Sequence, residues 1–307
     1  MNSSFGDLVK RLEALTGGRV EEYLSYRPKE SEGRETLMSH IMLTVRYASA
    51  LSDHIVTLAR IVRKIDIALS PENARRVVRY LVLFTAFYHD IGKAEAHYQL
   101  YAHGAVDRVG VPHNYASVAF VVENDDIFEG FVEALTGNYG VSVRAAEVMF
   151  DSSLTAIALH HEYYDYKDLS FVEVLTPLTI ALAKNVDSLT ELAFHESVFD
   201  LLRSLAEEVG RNLNVRIPVP ATRRNFSTTL GRAIEYVATL HYEFGALNVR
   251  REGGSIRVSM DEAIASVLEL AEALTWVLVL ADNLAARHRG STGEESFFAS
   301  LIGRYYG

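Results

Sequence analysis

The sequence contains no cysteine. Disulfides, thiolate zinc sites and a cysteine nucleophile are thereby excluded together, and a reducing cytoplasm is the expected compartment. Long apolar runs are missing as well. None approaches the roughly 20 residues that cross a bilayer, and the opening "MNSSFGDLVK" lacks the basic start and apolar stretch of a secretory leader. No membrane association is expected. Basic charge is in deficit: 30 Lys and Arg face 40 Asp and Glu, for a formal net charge of -10. Such a surface does not coat a polyanion by bulk attraction, so contact with nucleic acid has to come from local arginines or bound cations. The phosphate-cradling G-x-x-x-x-G-K-[ST] loop is also absent. Gly92-Lys93 lacks both the upstream glycine and the following hydroxyl.

What is present is ample core material, 49% hydrophobic residues in 307, with no internal repeat and no low-complexity segment. Most of it has helical period. "FGDLVKRLEALTGG" places Leu8, Leu12 and Leu15 on one face and ends in two glycines. "ETLMSHIMLTVRYASAL" does the same with Leu37, Ile41, Val45, Ala48 and Leu51, and His40 stands beside that stripe. "SPENARRVVRYLVLFTAFYHD" opens with Ser70 as N-cap and Pro71 at the first helical position. Further helices are expected near 114–123, 126–136, 141–161, 169–208, 222–243, 259–289 and 293–304. One region alternates instead: "ALNVRREGGSIRVSM" reads as a β-hairpin turning at Glu252-Gly253-Gly254-Ser255, with "NVRIPVP" as a third extended piece. The expectation is an all-α fold, a single helical domain over 1–307, carrying a β-containing insertion near 213–260.

Three apolar runs end in metal-binding side chains. "LFTAFYHD" finishes in His89-Asp90, "LTAIALHH" in His160-His161 and "LTWVLVLAD" in Asp282. A buried carboxylate without a partner costs several kcal/mol, so each run needs a companion. A shared divalent cation would supply charge to the carboxylates and a Lewis acid to the neutral imidazoles. With 11 histidines in the chain, chance alone yields about 0.5 His-Asp pairs, so one pair by itself carries little. The ordered set carries more: His40, His89-Asp90, His113, His160-His161 and Asp282, all on or beside expected helices.

This set resembles the HD superfamily of metal-dependent phosphohydrolases, and within it the HD nucleases of type I CRISPR systems. The residues carrying the resemblance are His40, "HDIGKAEAHYQ", "HNYAS", "ALHHE" and "ADNLAA", spread over residues 36–289. Ala286 stands where that family often has a serine. The resemblance implies an HD-type helical bundle and a stand-alone HD subunit that works with a separate helicase subunit and an effector complex. It implies hydrolysis of phosphodiester bonds in single-stranded DNA, with RNA as the other polynucleotide.

It further implies two divalent metals, with Asp90 as the bridging carboxylate. His40, His89, Asp90 and Asp282 are assigned to the first, and Asp90, His113, His160 and His161 to the second. A shell of mixed nitrogen and oxygen suits Mn, Ni, Co, Fe or Zn, with Mg also considered. Lys93, three residues after Asp90, is expected to assist catalysis by holding a phosphate oxygen or the leaving group. Gln99 and Ser117 are expected to orient ligands or substrate. Tyr163 and Tyr164 are candidates for stacking bases, and Arg287 and Arg289 for guiding the backbone. His97 and His103 are weaker candidates for substrate contact. His54, His195, His241 and His288 lack companions at ligand spacing.

Two other functions share parts of this signature. One is an HD-type nucleotide or cyclic-dinucleotide phosphohydrolase. The HD-GYP phosphodiesterases have the same "HDIGK", but the Gly-Tyr-Pro they want after the double histidine is missing from "HHEYYDYKDLS". The other is a non-catalytic scaffold stabilised by metal.

Overall fold

The computed structural model describes residues 5–28, 33–52, 56–108, 111–161, 190–224, 226–233, 235–236, 248–252, 255–259 and 262–287. The first eight helices are α1 (Phe5–Thr16), α2 (Leu37–Ser52), α3 (Val56–Ile65), α4 (Pro71–Tyr88), α5 (Ala96–Ala102), α6 (His113–Val122), α7 (Asp125–Tyr139) and α8 (Val143–Leu159). Then come β1 (Glu191–Phe194), α9 (Ser197–Leu213), β2 (Phe226–Thr229), β3 (Asn248–Glu252), β4 (Ser255–Ser259) and α10 (Glu262–Arg287). The fold is all-α, a helical bundle with two small antiparallel β pairs. Among the described residues no helix is long and apolar enough to cross a membrane.

Helix α4 is the axis of the bundle. Ser70 Oγ accepts the Asn73 N–H at 3.1 Å and Pro71 occupies the first turn, which starts the helix where the sequence predicts. From Tyr80 onward every residue is buried, because the apolar run surrounds the helix instead of forming a stripe. Helices α2, α3, α7, α8 and α10 pack around it. Phe84 lies in an aromatic group with Tyr80, Tyr88, Phe131 and Phe150. The C-terminal ends of α4 and α8 are thus both carried into the interior, and α10 crosses α2 and α8.

The structure departs from two sequence expectations. The helix expected over 169–208 begins at Ser197 in the described part, and residues 191–194 form β1 instead. The helix expected over 222–243 is replaced at 226–229 by β2, which pairs with β1 from Glu191↔Thr229 to Phe194↔Phe226. Phe194, Phe226, Phe120 and Phe199 cluster on this pair. Each strand is four residues long, "ELAF" and "FSTT", and its partner is distant in the chain, so a local window shows no diagnostic period. "NVRIPVP" forms no strand of either sheet. Residues 214–220 run as a strap, with Pro218 against Gly130 of α7 and the Pro218 carbonyl accepting the Tyr88 hydroxyl at 2.5 Å. Strands β3 and β4 pair antiparallel with Glu252 opposite Ser255, the register read from the sequence. The helix expected at 293–304 lies outside the described residues.

Candidate metal centre

Two helix ends build the floor of the site by one device. At the end of α4, His89 Nδ1 donates to the Ala86 carbonyl at 2.8 Å, and at the end of α8, His160 Nδ1 donates to the Ile157 carbonyl at 2.7 Å. Each histidine thereby satisfies a carbonyl that the finishing helix leaves unpaired. A carbonyl only accepts, so Nδ1 carries a proton and Nε2 is the atom turned to the centre, where its lone pair is free to bind metal once any second proton is displaced. Among the described residues neither buried Nε2 has a hydrogen-bond partner.

Asp90 follows at once and is 1% exposed. Its two oxygens face different neighbours. Oδ2 lies 2.6 Å from Lys93 Nζ, 3.0 Å from His40 Nε2 and 3.3 Å from His89 Nε2. Oδ1 lies 3.1 Å from His113 Nε2 and 3.9 Å from His160 Nε2. Asp282, on α10, brings Oδ1 to 2.9 Å from His40 Nε2 and 3.8 Å from His89 Nε2. On the other side, His113 Nε2 and His161 Nε2 are 2.7 Å apart. His40, His89, Asp90 and Asp282 offer one ligand atom each, all within 4.8 Å of one another, and Asp90, His113, His160 and His161 form a second such group.

Four buried atoms of these groups have no hydrogen-bond partner among the described residues: His89 Nε2, His160 Nε2, Asp90 Oδ1 and Asp282 Oδ1. The contacts to the two carboxylate oxygens are close without the alignment of a hydrogen bond. Leaving several such groups orphaned costs about 1–3 kcal/mol each, more for charged ones. They converge, and cations accepting from all four would relieve them, so the donor set fits divalent metal. The electrostatics of the two groups differ. Burial disfavours charge on His40, but the carboxylates of Asp282, Asp90 and Glu35 outweigh it and push the imidazole up to about 10. Burial resists ionisation of Asp90, but His89, Lys93 and His113 hold its carboxyl well below the usual range. In the second group burial dominates. It lowers His113 and His161, and takes His160 down to about 3.

A shell of main-chain clamps fixes the segment between the helices. Ser117 Oγ accepts the Gly92 N–H at 2.8 Å, and its proton serves the His89 carbonyl at 2.7 Å or the His113 carbonyl at 2.9 Å. A Cβ on Gly92 would lie 2.0 Å from the His113 carbonyl oxygen, so α6 can reach the loop only because residue 92 has no side chain. Gln99 is fully buried. It bonds Leu24 in both directions at 2.9 Å and donates to the Lys93 carbonyl at 2.6 Å. Ser117 and Gln99 therefore position the loop and have no capacity directed to a substrate. Lys93 is 6% exposed, with its ammonium on Asp90.

Elsewhere, His103 is tied to the Glu22 carbonyl at 2.9 Å and His195 to Ser197 Oγ at 2.7 Å. Arg287 is an exposed residue ending α10. Tyr163, Tyr164, Arg289, His54, His241 and His288 lie outside the described residues. His113, His161 and Asp282 are partly exposed while the other members are buried, so the centre opens on their side.

One functional residue escaped sequence reasoning. Glu35 Oε2 lies 3.4 Å from His40 Nδ1 and accepts Ser25 Oγ–H at 2.6 Å. Here a carboxylate orients the imidazole, as the helix carbonyls do for His89 and His160. Its only trace in the sequence is an acid five residues before the histidine, in a stretch without helical period. Glu35→Gln is expected to weaken the first cation by about 10–100-fold and leave the second unchanged. Titration of the metal-stripped chain with Mn, followed by electron paramagnetic resonance, reads both.

No curated protein and no solved structure matches the chain. Residues 26–172 match the family model described as Cas3, HD domain. The matched span holds His40, His89, Asp90, His113, His160 and His161, and Asp282 lies beyond it. Over residues 26–172 the chain is thus similar to the HD domain of Cas3, and a domain of that kind implies metal-dependent hydrolysis of phosphoester bonds.

Proposed function

We propose that the chain is a metal-dependent nuclease cleaving single-stranded DNA in CRISPR interference. It would act in the cytoplasm, fed by a helicase and an effector complex. The observation that carries the reading is the division of Asp90, with Oδ2 toward His40 and His89 and Oδ1 toward His113 and His160. His40, His89 and Asp282 would hold one divalent cation and His113, His160 and His161 the other, with Asp90 shared. Mixed imidazole and carboxylate favours Mn, Ni, Co, Fe or Zn over Mg. When bound, such a pair supplies Lewis acidity to a phosphoryl oxygen and a nucleophile at neutral pH.

The chain's own residues do the rest. The Nδ1–H bonds of His89 and His160 to helix carbonyls fix both rings with Nε2 toward the centre, so these ligands need no reorientation at the moment of reaction. Lys93, held by Gln99 through its main chain and by Asp90 through its ammonium, keeps positive charge at the edge of the centre. That charge favours the oxyanion that develops as the ester bond breaks. Arg287, exposed behind Asp282, can draw a phosphate toward the opening, a role also given to Arg289, while Tyr163 and Tyr164 would stack bases.

The test separates polynucleotide from mononucleotide. The Mn-loaded chain is incubated with labelled single-stranded DNA and, separately, with nucleoside triphosphates and cyclic dinucleotides. Shortening of the strand beside inert nucleotides is the expected result. Rapid turnover of the nucleotides beside intact DNA would establish the phosphohydrolase reading, and inertness to all would point to a scaffold.

A further inference from the structure

At the open side of the centre a file of rings leads away from the second ligand group. His113 meets Tyr98 edge to face, with centroids 5.7 Å apart, and Tyr98 meets Tyr101 at 6.3 Å. The Arg27 guanidinium then sits over the Tyr101 ring, 5.4 Å from its centroid. The first member of this file is buried and supportive: Tyr98 donates its hydroxyl to the Ser25 carbonyl at 2.9 Å and is 8% exposed. The outer members reach the surface, Tyr101 half-buried and Arg27 exposed. Among the described residues Arg27 makes one hydrogen bond, a long 3.5 Å contact to the Val106 carbonyl, and its side chain is exposed.

We propose that Tyr101 and Arg27 form the ledge that receives a single polynucleotide strand on its way to the second ligand group. The proposal rests on the nuclease reading of the centre and adds the path to it. The chemistry suits that ligand more than any other. A guanidinium beside a ring offers a planar face for a base and a fork of N–H donors for a phosphate. Stacking tolerates any base, because every base has a π-face. The alignment with His113 sets direction: a strand lying on the ledge carries its next phosphates toward the Asp90 side of the opening. In a chain of net charge -10, such a site draws a polyanion by contact and not by long-range field.

The experiment uses the Mn-loaded full chain and two probes. A fluorescein-labelled phosphorothioate oligothymidine, which keeps its charges and resists cleavage, is titrated by anisotropy across a range of salt. Turnover of bis(4-nitrophenyl) phosphate, too small to reach the ledge, reports the metal centre alone. Arg27→Gln and Tyr101→Leu are each expected to weaken strand binding about ten-fold and to leave the small diester untouched. Tyr101→Phe should bind as the natural chain does. The log-log salt slope should fall by about 0.7 in Arg27→Gln, the value for one lost phosphate contact on a single strand. Unchanged affinity and slope in Arg27→Gln and Tyr101→Leu would overturn the ledge, whatever the diester assay gives. Absence of diester turnover in every protein, with the binding losses as expected, would instead sink the nuclease reading and leave the ledge standing.

Discussion

Asp90→Ala is expected to empty both ligand groups at once, and to lower hydrolysis of a phosphodiester by about a thousand-fold or more. The reason is geometric. Its two oxygens face separate groups, Oδ2 at 3.0 Å from His40 Nε2 and Oδ1 at 3.1 Å from His113 Nε2. Metal content measured on the purified chain should fall from two cations to none. Removal of the carboxylate also takes its 2.6 Å ion pair from the Lys93 ammonium, which is 6% exposed. Breaking a buried pair by deleting one partner costs about 3–5 kcal/mol, so the variant should melt earlier than the natural chain. The double substitution Asp90→Ala/Lys93→Met should recover much of the melting temperature and none of the metal. Retention of two cations with near-normal turnover in Asp90→Ala would show that the carboxylate does not bridge.

Gly92→Ala should be nearly as damaging for a different reason. The added Cβ would meet the His113 carbonyl oxygen at 2.0 Å and the Ser117 amide nitrogen at 2.6 Å. Both are main-chain atoms and cannot swing aside, so α6 as a body has to retreat. Overpacking of a buried site costs about 1–3 kcal/mol, and more against rigid backbone. The melting temperature should drop by about 10 °C. Because His113 begins α6, the second ligand group should open and lose its cation before the first does. Gly137→Ala is the control. Its Cβ would meet nothing within 4 Å, and it sits inside α7, where alanine is the better helix former. A Gly92→Ala chain as stable as the Gly137→Ala chain, with both cations retained, would show that α6 yields without cost.

The two substitutions touch neighbouring residues of one short stretch and show how unevenly that stretch could be read. The aspartate stands out by chemistry, because a carboxylate at the end of an apolar run demands a partner. The glycine does not. In "HDIGK" it looks like any helix-ending glycine, and its constraint comes from α6, a separate helix that arrives beside the loop. Ser117 and Gln99 were legible only in part for the same reason. Their polar groups suggest orientation of ligands or substrate, and the partners they take are main-chain atoms of Gly92, His89, Leu24 and Lys93. Which of its many partners a hydroxyl or amide takes depends on what packs against it.

The amino-acid sequence by itself determined the helical character of the chain, the cap at Ser70-Pro71, the hairpin register at Glu252 and Ser255, and the three apolar runs that deliver His89-Asp90, His160-His161 and Asp282. All of these follow from local rules, namely the 3.6-residue period, the turn chemistry of glycine and the cost of burying charge. Only the tertiary structure decided that β1 pairs with β2, that Asp90 turns its two oxygens to separate groups, that Glu35 stands behind His40, and that Tyr98, Tyr101 and Arg27 line up from His113. These relations join residues far apart in the chain. They are set by the angles and depths at which helices pack, and no local period records such distances.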